Sequence, residues 1–425
     1  MSDPERPKDP SALDAAASRL PLTDNPLFLA GQQDFVDALA IADRISDTHY
    51  LMDARVAISL EQVRAGQPPT FPPEHFADFV QAKPDTRVGN ILEKVAEIQA
   101  RAGDLEGSER TMPFKSPGMD IDARISIVRA HAAQGREVRQ FFDYLYSRNG
   151  LITRADSHDI EKIATTEQEL TGSTSTPRVI EAYLQEAAEV HTPFNLPEEN
   201  YLPDLAVTYA RLGQPEEALA AWERGRHEND RKRTEDFSHI VLSFAKAGKD
   251  VSGLTQRATE LVEKIDNSGE FKYHDLQVKI YGRLAQAQAL VRQDSLPLID
   301  MALEHADEAP ENYSHLIAPS LMEVARAQVA AGLDAQPTFA KALLLVESLE
   351  VSEVGKDTSP YDNVTYFMSL EDVFNAQVEL GFFDEACVTA ERIDRIVSKD
   401  PDFIVEKVSW LAKLGGARMR AAMAS

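Results

Sequence analysis

One cysteine, Cys387, stands in 425 residues, so the chain can form no internal disulfide and carries no CxxC metal or redox pair. Its place on an apolar helical stripe reads it as a small buried hydrophobe. Aromatics are only 7% of the chain and β-branched runs are short, which disfavours a sheet, while abundant alanine favours helix. No long apolar run is present: the longest aliphatic stretch, about Ala342 to Val346, falls far short of the roughly 20 residues a bilayer span needs. Positive charge is scarce too, 44 Lys and Arg against 70 Asp and Glu for a net charge of −26. Such a surface repels phosphate backbones and anionic lipids, so neither nucleic acid nor membrane is the expected partner. The opening MSDPERPKDPSALDAAASRLP has no apolar h-region, which points to a cytoplasmic protein, and residues 1–26 read as a disordered tail.

What is present is a repeated nonamer: an aliphatic residue, a small or apolar one, two variable positions, Gln or an aromatic, three variable positions, then glycine. Copies begin at Ile58, Val95, Ile127, Ala164, Leu205, Ile240, Leu284, Val324 and Val373. They end at Gly66, Gly103, Gly135, Gly172, Gly213, Gly248, Arg292, Gly332 and Gly381, at intervals of 32 to 49 residues. Apolar residues at places one, two and five make one helical stripe, and a glycine after that stripe supplies a left-handed cap. Each copy therefore closes a first helix, and the amphipathic stretches that follow, such as 215–225 and 383–396, make second helices. Insertions are expected near 67–86, 112–120 and 351–362. A second-helix pattern from Gln32 and a first-helix pattern over 408–416 are expected to begin and cap the stack.

Leu202, Leu205, Ala206, Tyr209, Gly213, Ala218 and Trp222 fall where the tetratricopeptide repeat places its large and small packing residues. Gly381, Ala386 and the FFDEA segment resemble its turn and second helix, and Gly31 to Ala38 repeats that turn. Over roughly residues 27–416 the chain resembles a divergent, alanine-rich bacterial type of this repeat, with Gln62, Gln99, Gln168, Gln288, Gln328 and Gln377 where the family prefers an aromatic. HEAT-like packing is the alternative. The resemblance implies an all-α fold, an α-α superhelix (a right-handed solenoid of about nine to ten antiparallel helix hairpins) over residues 27–425. It also implies a concave face lined by first helices, pointing Asn90, Glu93, Glu97, Asp122, Arg129, Asp159, Lys162, Glu169, Asn200, Glu235, Lys279, Gln286, Arg326, Glu371 and Asn375 inward.

Such a face holds proteins or peptides, and acids outnumber bases on it, so a neutral to basic ligand is expected. The Lys, Arg and Asn clamp with which some members grip a C-terminal carboxylate is not evident. A basic island, Arg224, Arg226, Arg231, Lys232 and Arg233, interrupts the acidic chain; it suits either an acidic partner or helix-end compensation with local ion pairs. No phosphate-cradling loop, HExxH helix, GxSxG elbow or EF-hand spacing occurs. The ten histidines show no metal-ligand pair on one helix, and His305, Asp307 and Glu308 form only a weak group. No cofactor, metal or catalytic residue is expected. The function read from the sequence is an interaction scaffold or adaptor, with a peptide-responsive regulatory subunit as the alternative and an enzyme with a site between repeats as a more distant one.

Overall fold

The computed structural model describes residues 25–76, 86–114, 121–145, 157–172, 202–227, 229–265, 273–310, 313–349, 361–397 and 403–425. Among these, nineteen helices and no strand occur. In order they are α1 (Pro26–Ala42), α2 (Thr48–Arg64), α3 (Thr86–Arg101), α4 (Leu105–Thr111), α5 (Ile121–Ala133), α6 (Arg139–Leu145), α7 (Ser157–Thr171), α8 (Leu202–Arg211), α9 (Pro215–Arg224), α10 (Asp230–Lys246), α11 (Ser252–Val262), α12 (His274–Leu290), α13 (Leu296–Glu308), α14 (Ser314–Ala330), α15 (Gln336–Glu347), α16 (Tyr361–Glu379), α17 (Phe383–Arg392), α18 (Asp394–Val397) and α19 (Phe403–Ala424). No described helix is long and apolar enough to cross a membrane. The described chain forms two compact units, one up to Phe71 together with Ile404–Ser425, the other Pro72–Phe403.

The nonamers are the closing turns of first helices. All nine of their last residues have positive φ, from 60° at Arg292 to 92° at Gly103, and Arg292 is the only described non-glycine that does. The turn has a fixed hydrogen-bond pattern. In the Gly213 turn the N–H of Gly213 donates to the Ala210 carbonyl (3.1 Å) and that of Gln214 to the Tyr209 carbonyl (2.9 Å). The same pair recurs at Gly66, Gly103, Gly135, Gly248, Arg292, Gly332 and Gly381. This is the Schellman closure, and it explains the spacing: place five of the nonamer is the residue whose carbonyl receives the last bond. A side chain in this conformation costs about 1 to 2 kcal/mol, which Arg292 carries and the glycines avoid. Arg292→Gly is thus expected to stabilise the chain by about 1 kcal/mol, and Gly213→Val to destabilise it by roughly 1 to 3 kcal/mol, both read from urea midpoints.

Places one and two fill the core. Ile240 with Val241, Leu284 with Ala285, Val324 with Ala325 and Val373 with Phe374 are all fully buried. In the second unit the helices α3, α5, α7, α8, α10, α12, α14 and α16 each pack on the next, and each of α8, α10, α12, α14 and α16 also packs on the second helix that follows it. The helices α12 and α14 approach closely. A Cβ on Gly282 would lie 2.9 Å from the backbone of Glu323 and Val324, so glycine at this helix-interior position lets two helix backbones nearly touch.

The glutamines at place five are structural in three repeats. Gln62 Nε2 donates to Thr70 Oγ1 (2.8 Å), and Gln328 and Gln377 each accept from a threonine hydroxyl, Thr338 and Thr389, at 2.7 Å. In the two later repeats the bond ties a first helix to its own second helix.

The ends of the sequence depart from the expected repeat. Gly31 is not a turn: α1 runs unbroken from Pro26, capped by the Asn25 carboxamide oxygen on the Leu27 N–H (2.9 Å), so no second helix starts at Gln32 and residue 26 belongs to a helix rather than to a tail. Gly416 closes nothing either, since α19 continues past it to Ala424. Both misreadings share a cause. A glycine after an apolar stripe also arises where helices cross closely: a Cβ on Gly416 would meet the Glu61 carboxylate at 2.9 Å and its carbonyl oxygen at 3.3 Å, and one on Gly31 the Gly415 carbonyl oxygen at 2.7 Å. At this crossing Arg418 donates to both oxygens of Asp34 at 3.0 Å, the side chains only 8% and 6% exposed. Cys387 is half-buried rather than buried. The expected tail before residue 25 and most of the three expected insertions (77–85, 115–120 and 351–360) lie outside the described residues.

Candidate functional site

Seven of the first-helix residues picked out by the sequence, Asp122, Arg129, Lys162, Glu169, Glu235, Lys279 and Arg326, take part in ion pairs between successive first helices. Between α5 and α7, Lys162 meets Asp122 at 2.8 Å and Arg129 meets Glu169 at 2.6 Å. Between α10 and α12, Lys279 meets Glu235 at 2.6 Å; between α12 and α14, Arg283 meets Glu323 at 3.4 Å; between α14 and α16, Arg326 meets Glu379 at 2.7 Å. Apart from the largely buried Arg283–Glu323 pair, these are exposed or half-exposed pairs that contribute about 0 to 1 kcal/mol each, so their main effect is to fix the register of charges along the stripe.

The stripe opens into a groove of about 410 Å³ across α12, α14 and α16, lined by Asp275, Lys279, His315, Leu316, Pro319, Ser320, Met322, Glu323, Arg326, Asp372 and Asn375. Three of the expected residues, Lys279, Arg326 and Asn375, meet here. Pro319 sits inside α14 and has no N–H for the His315 carbonyl; Ser369 of α16 donates to that carbonyl instead, at 3.4 Å. A helix-breaking residue is thereby accommodated in the groove wall. Burial works against the Arg326 charge, yet the Glu379 hydrogen bonds and the charges of Glu323, Glu379 and Asp372 hold its pKa above the usual value. Burial raises the Asp372 carboxyl, opposed by Arg326 and Lys279.

Upstream on the same stripe, burial and then the neighbouring Arg283, Arg211, Lys279 and Lys232 hold the His239 pKa well below 6.5. In the unfolded chain the imidazole titrates near 6.5. Because the folded value is lower, the stability gained from keeping His239 neutral is complete above about pH 6.5 and is lost as pH falls through the window below it. His239→Gln is therefore expected to flatten the decline in urea midpoint between about pH 7.5 and 5.5.

Other expected residues play different parts. Glu97 is buried, accepting from Arg101 (2.8 Å) and Ser126 (2.8 Å), and so ties α3 to α5 instead of facing a ligand. Glu93 and Gln286 are half-buried on α3 and α12, outside the groove lining. Asn200 and the Asn90 and Asp159 side chains lie outside the described residues.

The residues of the basic island take separate partners. Arg224 ends α9 and Arg226 is exposed in the loop. Arg231 stacks over the Tyr273 ring at 3.3 Å, Arg233 lies 5.1 Å from the Trp222 ring, and Lys232 pairs with Asp236 at 2.7 Å. Arg231, Lys232 and Arg233 occupy the first turn of α10, where the helix dipole disfavours them, so dipole compensation holds for Arg224 alone.

A larger hollow of about 520 Å³ lies between the second helices α15 and α17, lined by Phe339, Leu343, Leu344 and Val388 and bordered by the Glu347–Arg392 ion pair. Its floor holds Gln377, already tied to Thr389. The sequence carries little sign of this hollow beyond Leu344 and Val388, apolar side chains left exposed on second helices.

Compared with known proteins, the chain matches no family model and no curated protein sequence.

Proposed function

We propose that the protein is a tetratricopeptide-like array of helix hairpins that holds a partner protein or peptide along its first-helix stripe, with the groove across α12, α14 and α16 as the principal seat. The observation that carries this reading is the convergence of Lys279, Arg326 and Asn375 from three successive first helices on one open groove. Regular hairpins expose such a stripe because each buries its apolar residues only against its neighbours. Acids and bases alternate in the groove, which suits a peptide backbone with side chains of both signs, and the net charge of −26 favours a neutral to basic ligand over an acidic one. The role is holding rather than chemistry, in the cytoplasm, without a cofactor.

A photo-crosslinking residue at position 375, compared with one at position 344 on α15, tests the reading in native lysate. A defined partner is expected at 375 and not at 344. Lys279→Glu combined with Arg326→Glu is expected to weaken that capture at least about tenfold while circular dichroism at the working temperature shows the helices intact. Capture from 344 alone, or capture unaffected by the double reversal, would refute it.

A further inference from the structure

Away from the groove, three side chains from two helices converge at one end of a hairpin. His274 is the first residue of α12 and is buried; His305 lies in the last turn of α13 and Glu308 ends that helix. One donor atom from each lies within 4.8 Å of the other two, with His305 Nδ1 3.9 Å from a Glu308 carboxylate oxygen. The Tyr281 ring stacks on His305 at 5.5 Å and 5°, which sets the plane of the imidazole, and the two imidazole centroids are 5.8 Å apart.

We infer that His274, His305 and Glu308 form a zinc-binding site with an open coordination position. Two imidazole nitrogens and one carboxylate oxygen are the three-ligand set of open zinc sites, whereas calcium and magnesium prefer all-oxygen shells. Zn–N and Zn–O bonds of about 2.0 to 2.2 Å place tetrahedral ligands roughly 3.4 Å apart, so the donors need to close by about an ångström. Glu308 can supply this movement, being exposed at a helix end, while buried His274 and the stacked His305 hold the fixed side. The helix adds to the attraction, because the carbonyls at the α13 C-terminus carry partial negative charge. Glu308 leaves the site open toward solvent, so the fourth position takes water or a group from a ligand. The site joins the end of a second helix to the start of its own hairpin's first helix, so bound metal would clip the hairpin at its open end.

The test uses the full chain without an affinity tag, stripped with chelator, dialysed and titrated with zinc chloride by calorimetry at about pH 7.5, where imidazoles bind metal as neutral ligands. One site per chain with Kd below about 10 µM is expected, with a rise in Tm on saturation and no response to calcium or magnesium. Cobalt is expected to give the visible bands of a low-coordinate ion. His305→Asn should weaken zinc binding at least about 100-fold. Glu308→Gln, at an exposed helix end that the fold does not need, should weaken it about tenfold while leaving helicity by circular dichroism unchanged. Absence of a one-to-one site in the unaltered chain overturns the inference, as does undiminished binding by Glu308→Gln and His305→Asn, which would place the zinc on other histidines. Loss of partner capture from position 375 would leave this result untouched, because the zinc titration needs no partner.

Discussion

Arg418→Ala is expected to lower the stability of the unit built from α1, α2 and α19 by about 3 to 5 kcal/mol. The Asp34 carboxylate would keep its place between helices but lose the guanidinium that bonds both its oxygens. A buried carboxylate that loses its guanidinium costs far more than the intact pair contributes, so the comparison that isolates the mechanism is the double variant Asp34→Leu with Arg418→Met. That variant should recover most of the lost stability, since it removes both charges and keeps apolar volume at the crossing. Urea unfolding followed by circular dichroism, with a fluorescent reporter on α1 to isolate this unit, provides the measurement. If Arg418→Ala unfolded at the same urea concentration as the parent, the pair would not be buried as described.

Gly282→Val is expected to cost roughly 3 kcal/mol or more, at the upper end of overpacking effects. The obstacle is not a flexible side chain: the added carbon would strike the backbone of Glu323 and Val324 at 2.9 Å, and a helix backbone cannot retreat without carrying its neighbours. Because α12 and α14 supply Lys279, Glu323 and Arg326, the same substitution should widen the groove and weaken partner capture from position 375. Gly253→Ala supplies the control. It lies in α11 with open space around its Cβ position, and there alanine should stabilise by about 0.5 to 1 kcal/mol through helix propensity alone.

These glycines show how far the sequence could be read. Glycines that end first helices were legible because their signal is local: an apolar stripe, then glycine at a fixed distance, each part within one turn of chain. Arg292 fits the same place without glycine and still takes positive φ, since the apolar stripe and the following second helix fix the turn. Glycines at helix crossings were not legible, because their cause lies in a different helix. Gly31 and Gly416 look like turn residues until the neighbouring helices are set beside them, and nothing near Gly282 in sequence names Glu323 as its neighbour. Charge followed the same division. The stripe of Lys162, Lys279 and Arg326, with Asp122 and Glu235, was readable from helical periodicity, but which acid meets which base was not, since Asp122, Glu235 and Glu379 stand 40, 44 and 53 residues from their partners, in the adjacent repeat. The zinc ligands divide the same way: His305 and Glu308 form a readable group on one helix, but His274 stands at the start of another and nothing local joins it to them.

The Asp34–Arg418 crossing has a consequence for how the chain is made. Its partners are separated by 384 residues, so at about 5 to 20 residues per second a ribosome delivers Arg418 roughly 20 to 80 s after Asp34. The hairpins between them make contacts mainly with adjacent repeats and can assemble as they emerge, whereas the α1 surface around Gly31 must wait with its carboxylate and phenylalanines uncovered. During that interval the nascent chain offers chaperones a defined target. A product cut short before α19 would keep that target permanently, marking it for removal even with every repeat intact.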